Sequence, residues 1–267
     1  MKISVIIPAY NRAATLARAI DSVLAQTQKV NEIIVVDDGS SDATSEVAKM
    51  YPDVLLLRQK NMGVSSARNN GVMMASCEWV AFLDSDDEWH PDKISMQCKL
   101  HKQSPALKIS YTDEKWVRNG KTVELPKKYQ KPPQATFENS LDYCNIAPSS
   151  VLVEKAFFDS IGGFDESLEV CEDYDLWLRI LAGENIGFID KKLVTKYGGH
   201  SDQLSSLHWG MDRFRVRALE KLLAANPYHP AITKTLLEKY TLLLKGAQKY
   251  DRDEDAMHYR MRITELL

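Results

Sequence analysis

The chain of 267 residues lacks features that mark several large protein classes. No run of about 18 apolar residues occurs, which argues against a membrane-spanning helix. The pattern GxGxxG is absent after the first apolar segment and GxxxxGK[ST] is absent throughout, so dinucleotide-binding Rossmann and P-loop chemistry lose their main support. The formal net charge of −3 provides no basic excess, and duplex DNA is therefore not expected as the main partner.

Cysteine is scarce, and its positions exclude two common uses. The four cysteines are Cys77, Cys98, Cys144 and Cys171, and no two have the spacing of a zinc knuckle or a CxxC pair. The first residues reach Pro8 and polar side chains too early for a signal peptide. We therefore expect reduced thiols in a cytoplasmic protein, with any peripheral membrane contact at the inner face.

The first ninety residues alternate between two hydrophobic periods. Apolar runs at 3–7, 33–36, 54–57 and 80–83 have the length of strands, and the segments between them have helical spacing. Asp42 is a candidate cap for a helix that buries Val47 and Met50. Strands that alternate with helices predict a parallel sheet covered by helices on both faces.

The pattern changes after residue 108. Asn119-Gly120 lies between apolar segments 109–117 and 122–125 and predicts a tight hairpin. The lysine- and proline-rich stretch 127–133 predicts a solvated loop, 149–153 a strand and 172–181 a helix. From about residue 207 only helical patterns remain. The stripes at Phe214, Ala218, Leu222 and at Leu236, Tyr240, Leu244 need a partner, for which the sheet domain, a second chain in a homodimer and a membrane are the alternatives.

Polar clusters follow the predicted early strands. They are Pro8-Ala9-Tyr10-Asn11, Asp37-Asp38-Gly39-Ser40, Asn61-Met62-Gly63 and Asp84-Ser85-Asp86-Asp87. Because ligands of open parallel sheets bind at the carboxyl ends of the strands, we expect these loops to surround one crevice.

Two of these clusters have both a functional and a structural interpretation. The three carboxylates at 84, 86 and 87 favour binding of Mg²⁺ or Mn²⁺, whose coordination shell substrate phosphates would complete. The alternative is that they complement the dipole of a following helix. Asp38 is a candidate acceptor for the imide N–H of a uracil-type base, or it belongs to a simple turn.

Taken in order, the motifs resemble those of the family 2 glycosyltransferases of the GT-A fold, over residues 1 to about 205. The segments that carry the resemblance are VIIPAYN (5–11), VVDDGSSD (35–42), GVSSARN (63–69), FLDSDD (82–87), GGFDE (162–166) and EDYDLWLR (172–179). The resemblance implies an α/β fold with a Rossmann-like, mostly parallel sheet flanked by helices. It divides residues 1–205 into a nucleotide-sugar half (1–107) and an acceptor half (108–205), before a helical region at 206–267.

The resemblance also implies an inverting transferase that moves a sugar from a nucleotide diphosphate, expected to be UDP, to a glycan or lipid-linked hydroxyl. It places Asp173 as the general base and Asp86 as the principal ligand of Mn²⁺ or Mg²⁺. The nucleotide would be held by further residues, and His200 would approach the metal or diphosphate. The expected substrate-binding residues are Pro8, Ala9, Tyr10, Asn11, Asp38, Arg68, Asp84 (also a candidate metal ligand), Ser85 and Glu172.

The two tryptophans near the motifs have alternative roles. Trp89 is a candidate for stacking on a sugar, whereas core packing is preferred for Trp177. Two other functions stay open at this point, a sugar nucleotidyltransferase and a catalytically silent nucleotide-sugar-binding scaffold. The first would need a glycine-rich basic loop after the first strand, which Pro8-Ala9-Tyr10-Asn11 does not provide, and Asp86 and Asp173 argue against the second.

Overall fold

In a computed structural model, which describes residues 1–124, 132, 134–199, 208–227 and 229–267, the first part of the chain forms parallel strands joined by helices. The strands are β1 (Ile3–Ala9), β2 (Glu32–Asp37), β3 (Val54–Arg58) and β4 (Trp79–Phe82), with α1 (Leu16–Leu24), α2 (Thr44–Lys49) and α3 (Val64–Met74) between them. In the sheet they lie in the order β3-β2-β1-β4.

The second part extends this sheet with strands of both directions. Its elements are β5 (Glu88–Trp89), α4 (Lys93–Gln103), β6 (Ile109–Arg118), β7 (Lys121–Val123), α5 (Phe137–Ser140), β8 (Leu152–Glu154), α6 (Lys155–Ser160), α7 (Glu172–Leu181) and β9 (Gly187–Gly198). β8 is antiparallel to β4 and β6, β9 is parallel to β6, and β5 is antiparallel to β9. The predicted α/β fold with a flanked sheet is confirmed, and the sheet is mixed beyond β4.

Alternate residues of the central strands bury against opposite helical layers. On β1, Ile6 packs with residues of α3 and α7, whereas Val5 and Ile7 pack with α1 and α4. All three side chains have no exposed surface. This period-two burial on both faces requires strands that are apolar throughout, as the sequence of β1 is.

Three local predictions meet different outcomes. The hairpin is confirmed, since Arg118 pairs with Lys121 across Asn119 and Gly120, whose φ angles are 49° and 72°. The prediction that Met50 is buried is wrong, because α2 ends at Lys49 and the Met50 side chain is 69% exposed. The strand expected at 149–153 begins only at Leu152, because Pro148–Ser150 forms a 3₁₀ turn.

The C-terminal region forms α8 (Asp212–Ala225), α9 (Pro230–Lys249) and α10 (Asp253–Leu266). Their apolar stripes pack with Leu141, Tyr174 and Leu178 of the sheet domain. Of the three alternatives, the sheet domain therefore covers these stripes, across the predicted boundary at 205/206. In the described parts of the chain, no helix is long and apolar enough to cross a membrane.

Candidate active site

The site is organised around Arg68, which extends from α3 and joins two distant carboxylates. One guanidinium nitrogen donates to Asp84 Oδ1 over 2.8 Å, and the other donates to Glu172 Oε1 over 2.6 Å. The Arg68 side chain is only 4% exposed. The end of β4 and the first residue of α7 are thereby fixed next to each other.

A second cation lies on the other side of the acidic cluster. Lys196 Nζ, from β9, lies 2.9 Å from Asp87 Oδ2 and 3.5 Å from Asp84 Oδ2. Ser149 completes the arrangement: its hydroxyl donates to Asp87 Oδ2 over 2.6 Å and accepts the Asp84 N–H over 3.0 Å. The 3₁₀ turn that replaces the expected strand is what brings Ser149 to this position.

The three carboxylates differ in their electrostatic environment. Burial alone would raise the pKa of Asp84, but the charges of Arg68 and Lys196 outweigh it and lower the pKa to about 2. Burial raises the pKa of Asp87 to about 7, although Lys196 opposes the shift. Burial and then the negative charge of Asp84 raise the pKa of Asp86. Asp86 differs from the other two because its carboxylate forms no ion pair with the described residues, and the charges of Lys196 and Arg12 lower its pKa only in part.

This arrangement fits a divalent cation that is held by few protein ligands. In the described residues no group of three or more His, Cys, Asp or Glu side chains could hold a metal ion, so a closed cage of protein ligands is absent from that part. The oxygens of Asp84 and Asp87 are engaged by Arg68, Lys196 and Ser149. The site therefore fits a cation held by Asp86 and completed by phosphate oxygens, a mode common for Mg²⁺.

The N-terminus of α7 presents two adjacent acidic residues with different surroundings. Glu172 is buried, and burial followed by the charge of Asp173 raises its pKa to about 7 against the pull of Arg68. Asp173 is half-buried, and its Oδ1 accepts the Tyr174 N–H over 2.7 Å. Cys171 precedes them with φ of 63°, which turns the chain sharply into the helix. Asp173 is thus the carboxylate of the pair that is open to a substrate.

Asp175 in the same turn has a structural role. It has no exposed surface, and it bridges Arg179 at 2.9 Å and Lys221 of α8 at 2.8 Å. Arg179 in turn donates to the carbonyls of Ile161 and Gly163 over 2.7 Å each. The second acidic motif therefore combines a candidate base with residues that hold the helix in place.

The loops after β1 and β2 are joined to each other at the edge of the crevice. Asn11, with φ of 52°, donates its N–H to Ser40 Oγ over 2.9 Å and accepts the Ser41 N–H over 2.9 Å. Pro8 and Ala9 are buried in β1, whereas the ring of Tyr10 is 46% exposed. Tyr10 is thus the side chain of this loop that is open to a base.

Asp38 is engaged by the loop that follows β3. Its carboxylate accepts N–H groups of Met62 and Gly63 over 2.9 Å each and the Gln59 side-chain amide over 2.7 Å. These bonds compensate the burial of the carboxylate, which is 4% exposed, and they agree with the interpretation of Asp38 as a turn residue. Any contact between Asp38 and a base would be added to them.

Two other predicted site residues lie beneath the surface. Trp89 is 2% exposed, donates its indole N–H to the Ser149 carbonyl over 2.7 Å and has the Lys93 ammonium 4.1 Å from its ring. It offers no open face for stacking on a sugar, because both the ring and its polar edge are enclosed. Ser85 is also buried, at 6% exposure. Trp177 lies in the core, as expected.

The structure brings together Arg68, Asp84, Asp86 and Glu172 with Asp173, while His200 lies outside the described residues. It also adds Lys196, which the sequence analysis missed. Lys196 and Asp87 are 109 positions apart, so no local spacing links them. The available signal was an excess of carboxylates at 84–87 that needed a buried cation from elsewhere.

A comparison with protein-family models agrees with this geometry. The model described as Glycosyl transferase family 2 matches residues 4–147, which contain the loops after β1, β2 and β4 described above. The chain belongs to this family.

Curated relatives of this glycosyltransferase span most of its length. An uncharacterized glycosyltransferase of Rickettsia typhi is 32% identical over 254 residues, which cover 92% of this chain and 76% of that protein. The Escherichia coli protein WfaP, named UDP-Glc:alpha-D-GlcNAc-diphosphoundecaprenol beta-1,3-glucosyltransferase, is 32% identical over 213 residues, or 76% of this chain and 80% of that protein.

A solved structure with the same fold has low sequence identity. The crystal structure of S. aureus TarS 1–349 in complex with UDP-GlcNAc matches with a TM-score of 0.70 and 22% identity, covering 92% of this chain and 71% of that chain. At that identity the match supports the fold of this family 2 glycosyltransferase.

Proposed function

We propose that this glycosyltransferase is an inverting enzyme that transfers a sugar from a UDP-sugar to a hydroxyl of a lipid-linked diphosphate acceptor, in the synthesis of a cell-surface polysaccharide or lipopolysaccharide. The observation that carries the proposal is the Arg68 bridge between Asp84 and Glu172. It holds a candidate donor site and a candidate base on opposite sides of one guanidinium. The names of WfaP and of the TarS complex support the two substrate classes.

On the donor side, the open ring of Tyr10 would stack on the base. Asp86 would hold Mn²⁺ or Mg²⁺, which when bound supplies charge stabilisation to the departing diphosphate. Arg68 and Lys196 keep Asp84 and Asp87 compensated, so the cluster tolerates the phosphates of the donor. His200 remains a candidate for contact with the diphosphate.

On the acceptor side, Asp173 would accept the proton of the attacking hydroxyl. The new bond joins the acceptor oxygen to the anomeric carbon as the bond from that carbon to the diphosphate oxygen breaks, and the electron pair leaves with UDP. A single displacement of this kind inverts the anomeric centre and needs no nucleophilic carboxylate. Asp173 suits this role because its neighbours leave it accessible, whereas Glu172 is bound to Arg68.

A transfer assay tests the proposal. UDP release is measured with a panel of UDP-, dTDP- and GDP-sugars and a GlcNAc-diphospholipid acceptor, using the parent and Asp173→Asn. We expect turnover with a UDP-sugar only when acceptor is present, and a loss of about 10²–10⁴-fold in the variant. Turnover of Asp173→Asn at the parental rate would rule out this base, and turnover restricted to GDP-sugars would overturn the donor assignment.

A further inference from the structure

We infer that a groove on the C-terminal helices docks this protein on an anionic phospholipid bilayer. The groove, here called the Trp209 groove, has a volume of about 390 Å³. It lies between the segment before α8 and the junction of α9 with α10. The lining residues that carry the inference are Trp209, Leu242, Leu243, Gly246, Tyr250 and Arg252.

Large apolar and aromatic side chains are open to solvent along this groove. Trp209 is 43% exposed, Leu242 60% and Tyr250 63%. On α9, the residues that pack with the sheet domain include Leu236, Tyr240 and Ala247, whereas Leu242 and Tyr250 are not among them. The exposed side chains are therefore not needed to hold the tail in place. Adjacent exposed side chains of this size mark an interaction surface rather than an ordinary solvated one.

The charge of the groove is positive. The guanidiniums of Arg213 and Arg252 lie 3.8 Å and 3.6 Å from the centre of the Trp209 ring. Among the described residues neither forms an ion pair with a carboxylate. The one carboxylate of the lining, Asp212, is bound by Arg215 at 3.0 Å and Lys239 at 3.1 Å. The groove therefore presents uncompensated cations beside apolar surface.

Gly246 keeps the floor of the groove open. It lies inside the twenty-residue helix α9, where glycine lowers helix stability relative to alanine. A Cβ at this position would meet no atom within 4 Å, so internal packing does not require glycine there. The open floor is consistent with a surface that receives an external group.

An anionic bilayer is the partner that matches these features. Tryptophan and tyrosine prefer the interface between headgroups and acyl chains, and arginine pairs with anionic headgroups. Three of the four acidic side chains of α10 lie in its first turn, at Asp253, Glu254 and Asp255, where they complement the helix dipole. The fourth, Glu265, pairs with Arg262 near the end of the helix. A twofold contact with a second copy would bring like charges of Arg213 and Arg252 together, which disfavours that occupant.

One contact connects the groove with the chain segment that carries the candidate base Asp173. The thiol of Cys171 is 3.9 Å from the carbonyl of Met211, which follows the groove residue Gly210. Cys171 directly precedes Glu172 and Asp173. A bilayer bound at the groove would thus hold the α7 end of the site near the membrane surface, although the docking itself does not depend on sugar transfer.

Vesicle binding without nucleotide or acceptor tests the inference. The full chain is sedimented with vesicles of phosphatidylcholine, alone or with 30% phosphatidylglycerol (about a third anionic lipid, the range where such attraction acts). We expect binding to the anionic vesicles only, reduced roughly fivefold by Arg252→Gln and by about tenfold or more by Leu242→Asp. Matched controls are Lys234→Gln, a 77% exposed lysine on α9, and Met50→Asp, a 69% exposed site on the sheet domain.

Equal binding to both vesicle types, no binding to either, or equal losses in the controls would each overturn the inference. Light scattering without vesicles tests the alternative that a second copy of the chain binds at the groove. A dimer that Leu242→Asp dissociates would show that the groove joins two copies. Thermal melting shows whether each variant is folded. If Leu242→Asp is unfolded, the result for Arg252→Gln alone decides the outcome. The UDP-release assay with a soluble acceptor should be unchanged in both groove variants, which separates this test from that of the proposed function.

Discussion

The guanidinium of Arg68 links Asp84 and Glu172, two carboxylates that belong to opposite halves of the glycosyltransferase fold. The hydrogen bonds are 2.8 Å and 2.6 Å long, and the three side chains are only 4%, 22% and 9% exposed. Since Glu172 begins α7 and Asp84 follows β4, this bridge sets the position of Asp173 relative to Asp86. The relative placement of donor and acceptor chemistry thus depends on one buried cation.

We predict that Arg68→Met destabilises the protein by about 3–5 kcal/mol, because it leaves the buried Glu172 carboxylate without its cation and leaves Asp84 with Lys196 alone. The measurement is urea unfolding monitored by tryptophan fluorescence. Arg68→Lys should also lose stability, since a single ammonium cannot reproduce the two-pronged geometry of the guanidinium.

The double variant Arg68→Met with Glu172→Gln provides the control. Removing the buried charge of Glu172 together with its partner should recover part of the lost stability, but not sugar transfer. If the single and double variants unfolded at the same urea concentration, the bridge would have no energetic role.

A second prediction concerns Asp86 and the divalent cation. UDP should bind much more tightly with Mn²⁺ than with a chelator present, and Asp86→Ala should abolish that difference. The reason is that Asp84 and Asp87 are held by Arg68 and Lys196, whereas Asp86 forms no ion pair with the described residues. Isothermal titration calorimetry measures both affinities.

Asp87→Asn is the matched variant for this experiment. Asp87 is buried and bound to Ser149 and Lys196, so its substitution should change stability while keeping the effect of Mn²⁺ on UDP affinity. Loss of the metal effect in Asp87→Asn and its retention in Asp86→Ala would reverse the assignment.

Lys196 carries a third prediction. Lys196→Met should cost about 3–5 kcal/mol of unfolding free energy, since it leaves the buried Asp87 carboxylate without its cation. Lys191→Met, at an exposed position of the same strand, should change stability by less than about 0.5 kcal/mol. Urea unfolding of the two variants compares them directly, and similar midpoints would mean that Lys196 is not needed to compensate the cluster.

The sequence was most informative where the signal was local. The helix at 172–181 and the Asn119-Gly120 turn were predicted at their observed positions, because acidic first-turn residues and paired left-handed residues determine structure over a few positions. The resemblance to the family placed both Asp84 and Glu172 among the substrate-binding residues, and in the structure Arg68 joins the two.

Long-range packing accounts for what the sequence did not predict. Trp89 looked accessible because it follows the acidic cluster, but β5 pairs with β9 and the ring is enclosed above Lys93. Lys196 is one lysine in a strand with several, and the antiparallel pairing of β9 with β5, which sets Thr195 opposite Glu88, carries it to Asp87. Neither outcome has a signature in local spacing, since both depend on pairings formed across most of the chain.

A last prediction tests how the C-terminal helices are attached to the sheet domain. Lys221 of α8 hydrogen-bonds to Asp165 and also reaches the buried Asp175. Burial would raise the pKa of Asp165, but the bonds from Lys221 and Ser167 prevail and lower the pKa to about 2. A carboxylate whose pKa is lowered by folding stabilises the fold above its unfolded pKa, near 3.8, and loses that contribution as the pH falls towards 2. Asp165→Asn should therefore destabilise the protein at pH 7 by about 0.5–1 kcal/mol, a small value because Lys221 is 44% exposed.

The measurement is the free energy of unfolding of the parent and of Asp165→Asn at pH 7, 5, 4 and 2. The difference between them should be similar at pH 7 and 5, shrink below pH 4 and be mostly lost at pH 2. In a protein that already carries Lys221→Met, adding Asp165→Asn should change the free energy of unfolding much less, and with little dependence on pH. The two groups form one contact, so their effects are not additive. A difference that stays constant from pH 7 to pH 2 would show that Asp165 acts through its shape and not its charge, and the tail would then be held mainly by its apolar stripes against Tyr174 and Leu178.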